Sequence, residues 1–293
     1  MIRFSHHRST SESLQEYGRG IAGGLMFSMP LLYTMEVWWA GFMLHPGRIL
    51  SYTVVTFALL LLYNRFAGLR RDATFLEVAI DSVEEMGIGL VLSAFILWLA
   101  GRIGWEMDRF EVLGKIVMEG MTVAIGVTVG TAQLGASDDG DGGLAGDDEE
   151  DSASAYFPQL SVALCGAVLF AANVAPTDEI SVIAMESSPA KLLLFSLVSM
   201  LLASLILHFS NFRGSSRYVV KDTAMMAARG IFSTYAVALL ASAGSLWFFG
   251  KLDGEPFSQC LGQTVVLGLP AVLGASAGRL LLQSGDPKES KQS

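Results

Sequence analysis

Long apolar segments recur along the chain and alternate with short polar connections. A run of about twenty apolar residues in a helix spans the hydrocarbon core of a bilayer. Segments of this kind lie at 20–44, 49–67, 78–101, 112–134, 157–183, 190–210, 223–249 and 260–282. The pattern therefore predicts an all-α, polytopic membrane protein with eight transmembrane helices.

A polar segment in the middle of the chain divides the eight helices into two groups of four. Residues 135–156 are rich in Gly, Asp and Ser, a composition that is typical of a flexible linker. The predicted organisation is a tail at 1–19, a four-helix membrane repeat at 20–134, the acidic linker at 135–156, a second four-helix repeat at 157–282 and a tail at 283–293.

Composition agrees with a membrane protein and limits the classes of partner. The chain is 52% hydrophobic and 16% charged, whereas an average soluble domain has about 25% charged residues. Eight acids and no base lie within 138–151, so most of the net charge of −9 is local. Because no basic patch with interleaved aromatic residues occurs, we expect a lipid bilayer as the surroundings and no nucleic acid. The composition is also compatible with a homo-oligomer.

Basic residues predict the orientation of the helices. With eight crossings, both termini lie on one side of the membrane, together with twelve of the Lys and Arg residues; six lie on the other side. Loops rich in Lys and Arg stay in the cytoplasm. We therefore expect an inner (plasma) membrane protein with both termini and the acidic linker in the cytoplasm.

The two groups of helices align with each other as an internal repeat. An offset of 143 residues places Gly23, Thr34 and Glu36 on Gly166, Thr177 and Glu179, and an offset of 148 places Gly126 and Gly130 on Gly274 and Gly278. Four helices is an even number, so the repeats should be parallel, related by an axis along the membrane normal. The paired GxxxG motifs indicate either ordinary tight packing or two helices that meet near this axis.

Two short motifs near the start of the chain carry a family resemblance. The residues 17–24 (YGRGIAGG) and 30–36 (PLLYTME) resemble an uncharacterised bacterial family of integral membrane proteins, a domain of unknown function. The resemblance covers most of the chain outside the linker and tails. It implies a membrane location and, because the family has no established activity, nothing about catalysis.

Two acids at equivalent positions form the first candidate site. Glu36 and Glu179 both occur in Thr-x-Glu, with Asp178 beside the second, and each follows a proline, Pro30 or Pro176. Proline breaks a helix and frees a backbone carbonyl, and a broken helix with a carboxylate can bind a hard cation. The alternative is that straight helices place these acids near the outer headgroups, where water solvates them.

A third acid lies within a predicted membrane helix. Glu119 is a candidate for proton or cation binding, because ionisable groups inside a membrane are costly and usually functional. The alternative is a structural acid that pairs with Lys115 or with a hydroxyl group.

An ion pair is predicted between two other helices. Arg229 lies inside an apolar segment and needs an acidic partner, and Glu84 or Glu85 lies at a similar depth in the third predicted helix. Its expected role is charge neutralisation, although a solvated extension of the third helix is equally compatible with these acids.

These features favour a transporter or channel for cations, or one coupled to protons, that uses intramembrane carboxylates. The alternative is a non-transporting scaffold or sensor whose acidic linker binds a basic partner. We expect no enzymatic activity, no catalytic residues, no cofactor and no metal site, because the histidines lack ligand spacing and no nucleophile or phosphate-binding motif occurs.

Overall fold

The protein is built from helices joined by short connections. The computed structural model describes residues 17–26, 34–68, 74–135, 156–211 and 224–283, and no strand occurs in these ranges. The ten helices there are α1 (17–26), α2 (Met35–Met43), α3 (Pro46–Ala67), α4 (Phe75–Leu99), α5 (Arg109–Gly135), α6 (Tyr156–Val174), α7 (Glu179–Glu186), α8 (Pro189–Asn211), α9 (Ala224–Phe248) and α10 (Phe257–Gln283). The prediction of an all-α protein is confirmed.

Seven helices of the described chain are long and apolar enough to cross a membrane: α3, α4, α5, α6, α8, α9 and α10. The first predicted span, 20–44, instead falls on two short helices, α1 and α2. The span predicted at 157–183 also falls on two helices, α6 and α7, with Pro176 in the turn between them. Pro30 and the acidic run 138–151 lie outside the described residues.

Local sequence signals explain where the helices begin. Pro46 occupies the first turn of α3, where a missing N–H costs nothing, and the His45 side chain accepts a hydrogen bond from the Gly47 backbone N–H. Thr74 and Glu77 form a reciprocal capping box at the start of α4. These polar caps satisfy backbone donors that a helix leaves unpaired at its first turn.

One long helix organises the packing in each group of helices. In the first group, α5 packs on α2, α3 and α4; in the second, α10 packs on α6, α7, α8 and α9. Glycines allow close approach in both, because Gly23 of α1 lies against Gly126 and Gly130, and Gly274 lies against Gly166. Gly126, Gly130 and Gly274 therefore pack within their own groups, which favours ordinary tight packing, and a meeting of the two motifs near the axis stays a prediction.

Apolar contacts and one aromatic stack join the two groups. Leu59, Leu60 and Ile125 form a buried cluster with Val162 and Leu169 of α6. Nearer the other end of α3, the rings of Tyr52 and Phe248 stack with their centroids 4.3 Å apart. This interface positions the cavity described next, because it brings the start of α3 against the end of α9.

Candidate functional site: a cavity between the two groups of helices and the buried acid Glu119

A turn at Pro176 separates α6 from α7 and exposes polar groups at the edge of the helix bundle. The Ala175 backbone N–H donates to the Ala171 carbonyl (2.7 Å), and the Thr177 hydroxyl donates to the Val174 carbonyl (2.9 Å). Asp178 is then the residue before the first turn of α7. The turn thus leaves the Asp178 side chain exposed at the edge of the bundle, at a point where a continuous helix would not have ended.

A cavity of about 600 Å³ lies between the two groups of helices at this level. Its walls are α2 and the start of α3 on one side, and the α6–α7 and α9–α10 turns on the other. The charged groups that line it are Glu36, Arg48, Asp178, Lys251 and Asp253. The structure therefore brings two of the predicted site residues, Glu36 and Asp178, to one cavity.

Two ion pairs occupy part of the cavity wall. Arg48 binds Asp253 with an N–O distance of 2.7 Å, and its guanidinium lies 5.5 Å from the centroid of the Trp247 ring. Lys251 binds Asp178 at 2.6 Å. The hydrogen bond from Arg48 lowers the pKa of Asp253 below its ordinary value of 3.8. The Arg48–Asp253 pair links the two groups of helices, whereas the Lys251–Asp178 pair lies within the second.

Glu36 and Glu179 occupy equivalent places at the start of short helices but have different surroundings. Both lie in the first turn, of α2 and α7 respectively. Glu36 is half-buried and lines the cavity, and within the described residues its carboxylate has no ion-pair partner. Glu179 is exposed and is not part of the cavity wall. The expected pairing of these two acids in one site is therefore not seen.

Glu119 is the most deeply buried of the predicted site residues. It lies on α5 with no solvent-exposed surface, and within the described chain neither carboxylate oxygen has a hydrogen-bond partner. The Trp38 indole N–H of α2 approaches the Glu119 carboxyl group but lies outside hydrogen-bonding geometry, so it too has no partner in the described chain. A charged carboxylate in such surroundings costs several kcal/mol, so this arrangement suits a protonated acid or a bound cation.

The neighbours of Glu119 do not neutralise it. Lys115, one turn away on α5, donates instead to Glu111 at 2.6 Å and to the Arg102 carbonyl at 3.2 Å. The alternative in which Lys115 is the partner of Glu119 is therefore wrong for this structure. Tyr52 and Thr122 hydrogen-bond to each other at 2.5 Å near Glu119.

The acids of α4 lie at the other end of the first group. Glu85 is buried and accepts hydrogen bonds from Asn64 Nδ2 and Thr128 Oγ1, both at 2.7 Å, while Glu84 is exposed. Arg229 is exposed on α9, and α9 packs on α6, α8 and α10, whereas α4 packs on α3 and α5. The predicted ion pair of Arg229 with Glu84 or Glu85 stays a prediction.

Several polar residues of this region were not singled out from the sequence. Arg48 and Asp253 are 205 residues apart, and only the fold shows that they are partners. Asn64 carried a usable signal, because an amide within an apolar helix is uncommon and usually has a polar partner. No group of three His, Cys, Asp or Glu side chains that could hold a metal ion occurs among the described residues.

Comparisons with known proteins agree with the apolar helices. No curated protein and no solved structure matches the chain. Residues 16–282 match the family described as "Putative integral membrane protein (DUF2391)". This match covers nearly the whole chain and includes both motifs that carried the resemblance. The chain therefore belongs to this family of integral membrane proteins, whose function is unknown.

Proposed function

We propose that the protein is a multi-pass transporter or channel for protons or small cations, with Glu119 as the central binding group. The observation that carries this proposal is a fully buried carboxyl group without a hydrogen-bond partner in the described chain. Such a group destabilises the fold unless it is neutral or binds a cation. An acid of this kind inside a membrane is usually part of an ion or proton pathway.

In this proposal the entrance is the cavity lined by α2, the helix that packs on the Glu119 helix, α5. Three carboxylates and two cationic groups line the cavity, and Asp178 and Asp253 are paired with Lys251 and Arg48. The half-buried Glu36 supplies the remaining negative charge, so the site attracts cations more than anions. Trp38, whose indole approaches Glu119, lies on the same helix, α2, that carries Glu36. In the described state the Arg48–Asp253 pair draws the two groups together beside the cavity. A change in this contact would alter access to Glu119.

The topology that we propose has eight crossings in two parallel repeats of four. Its first crossing consists of α1 and α2, and its fifth consists of α6 and α7. The duplicated packing supports the repeat, because α5 and α10 each organise one group and the Gly23–Gly126 contact has a counterpart in Gly166–Gly274. Excess Lys and Arg on the side of the termini then supports cytoplasmic termini in the inner membrane, with the cavity on the outer side.

Flux measurements on purified protein in proteoliposomes test this role. We expect transport of protons or of Na⁺ or K⁺ in the unaltered protein and a loss of at least tenfold in Glu119→Gln, because the amide keeps the size of the side chain but cannot release a proton. Glu186→Gln is the matched control, since Glu186 is an exposed acid outside the cavity. Full flux in Glu119→Gln would contradict the proposal.

The non-enzymatic scaffold or sensor with a basic partner is the competing function. Deletion of residues 138–151 separates the two functions, because an ion pathway within the helices does not need the acidic run. We expect the deletion to retain ion flux. Loss of flux together with loss of a bound basic protein would favour the scaffold or sensor.

A further inference from the structure

The first group of helices contains a second buried acid that is not part of the cavity. Glu85 lies on α4 and shares a hydrogen-bonded cluster with Asn64 of α3 and Thr128 of α5. Asn64 also donates to the Ser82 hydroxyl at 3.1 Å. This cluster, the inner acid cluster, joins the three helices at the end of α5 that is remote from the cavity.

Glu119 and Glu85 have opposite hydrogen-bonding environments. One oxygen of Glu85 accepts two hydrogen bonds, an arrangement that stabilises an ionised carboxylate. Glu119 has no hydrogen-bond donor among the described residues, which favours its neutral, protonated form. The structure therefore describes a pair with opposite ground states, Glu119 protonated and Glu85 ionised, so moving a proton from Glu119 to Glu85 costs free energy that a pH gradient must supply.

Buried polar groups lie along the same three helices between the two acids. Thr122 is one turn beyond Glu119 on α5, and Thr128 is six residues further, or about 9 Å along the helix axis. Thr56 of α3 and Ser93 of α4 are fully buried, and their hydroxyls have no partner in the described chain. Leu59, Leu60 and Ile125 form an apolar layer before the inner acid cluster. A gap of 9 Å needs about three hydrogen-bonded waters.

The second group of helices lacks both acids. In the proposed repeat, Leu267 takes the place of Glu119, and Met226 takes the place of Glu85. The hydroxyl positions persist, because Ser199 corresponds to Thr56, and Ser199 is also fully buried. The two halves therefore share a packing scheme, but only the first has acids at these two positions.

We propose that protons cross the first group of helices alone, between Glu119 and Glu85, and that the interface between the two groups supplies only the entrance. This inference rests on the proposed function. In the transfer step the O–H bond of the Glu119 carboxyl breaks, and the proton passes along water in the apolar layer to a Glu85 carboxylate oxygen, where the new O–H bond forms. The negative charge moves from Glu85 to Glu119, where a proton from the cavity neutralises it. Glu85 returns to its ionised form by releasing its proton on the side away from the cavity.

Proton flux into proteoliposomes that contain a trapped pH-sensitive dye tests the path under an imposed pH gradient. We expect Glu85→Gln to lower the initial rate at least tenfold, since the amide retains the hydrogen bonds of the cluster but cannot carry a proton in exchange. Glu85→Asp should recover part of the rate. The unfolding midpoint in detergent, measured for each variant, shows whether a loss of rate merely reflects a loss of fold.

A pair of hydroxyl variants tests whether the path is confined to the first group. Thr56→Val should lower the proton rate several-fold, whereas Ser199→Ala, at the corresponding position of the second group, should leave it unchanged. Equal effects of the two variants would overturn the restriction to one group. Either full proton flux in Glu85→Gln or no proton flux in the unaltered protein would overturn the path itself.

The outcomes distinguish the path from the more general role. Flux that is lost in Glu119→Gln but kept in Glu85→Gln contradicts the path and leaves the proposed function intact. Flux that is kept in both variants contradicts both. Flux of Na⁺ or K⁺ that depends on Glu119, without any proton flux, contradicts the path alone.

Discussion

Replacing Glu119 by leucine should stabilise the protein while it abolishes ion flux. Glu119 is fully buried, and neither carboxylate oxygen has a partner in the described chain. An unsatisfied buried polar group costs about 1–3 kcal/mol. Leucine has a similar volume, so the substitution removes this cost without opening a large cavity. We therefore expect the free energy of unfolding to increase by about 1–3 kcal/mol.

The corresponding position of the second group provides the matched control. Leu267 is fully buried on α10 and is the proposed counterpart of Glu119. The reverse change, Leu267→Glu, places an acid without a prearranged partner in an apolar core. It should destabilise the protein by about 3–5 kcal/mol, in the range measured for uncompensated buried charges.

Denaturant unfolding of the detergent-solubilised variants measures both effects, and flux in proteoliposomes is measured on the same preparations. If Glu119 is functional and is kept at the expense of stability, the Glu119→Leu variant should be more stable and inactive. If Glu119 is instead a structural acid with a partner in the membrane-embedded protein, Glu119→Leu should lower the free energy of unfolding. A loss of 1 kcal/mol or more in Glu119→Leu would refute the reasoning, because it would show that the carboxyl group makes a net stabilising contact.

Two further predictions concern packing and the contact between the groups. A Cβ on Gly41 would lie 2.6 Å from the Gly114 backbone, so Gly41→Ala should cost about 1–3 kcal/mol in unfolding experiments, whereas Gly87→Ala, where nothing lies within 4 Å, should be neutral or slightly stabilising. Because Arg48 lowers the pKa of Asp253, this pair should stabilise the protein fully above about pH 4 and progressively less as pH falls through the lowered pKa. The difference in unfolding midpoint between the unaltered protein and Asp253→Asn should therefore shrink over that range. A difference that is independent of pH would contradict the pairing.

The positions of the long helices followed from the sequence with small errors at their ends. The span predicted at 49–67 is the helix Pro46–Ala67, and the span predicted at 112–134 is Arg109–Gly135. Both begin three residues earlier than predicted, because hydropathy marks the apolar part of a helix and ignores its polar first turn. His45 and Asp108 supply polar caps there, since each side chain accepts hydrogen bonds from the following backbone N–H groups.

The candidate acids were recognisable from the sequence, but their surroundings were not. Glu36 and Glu179 share the same motif, yet only Glu36 lines the cavity. The difference arises because Asp178, and not Glu179, points its charge toward Lys251 across the α9–α10 turn. A motif describes the local chain, whereas the composition of a cavity depends on which distant turns pack around it.

The partner of Lys115 shows the same limit within one helix. A lysine can reach an acid four residues away in either direction along a helix, so Glu111 and Glu119 were equivalent candidates from spacing alone. The carbonyl of Arg102, in the connection before α5, holds the Lys115 ammonium at the Glu111 end. That contact leaves Glu119 without a partner and makes it the basis of the proposed function.

The sequence by itself determined an all-helical membrane protein, because the length and apolarity of a segment decide whether it can leave water and satisfy its own backbone in lipid. It also identified the glycines and acids that matter, since both are conspicuous among apolar residues. Only the tertiary structure decided that the glycines pack within each group, that Arg48 meets Asp253, and that Glu119 is buried without a partner. Such pairings depend on contacts between residues far apart in the chain, and hydropathy carries no information about which helix face meets which.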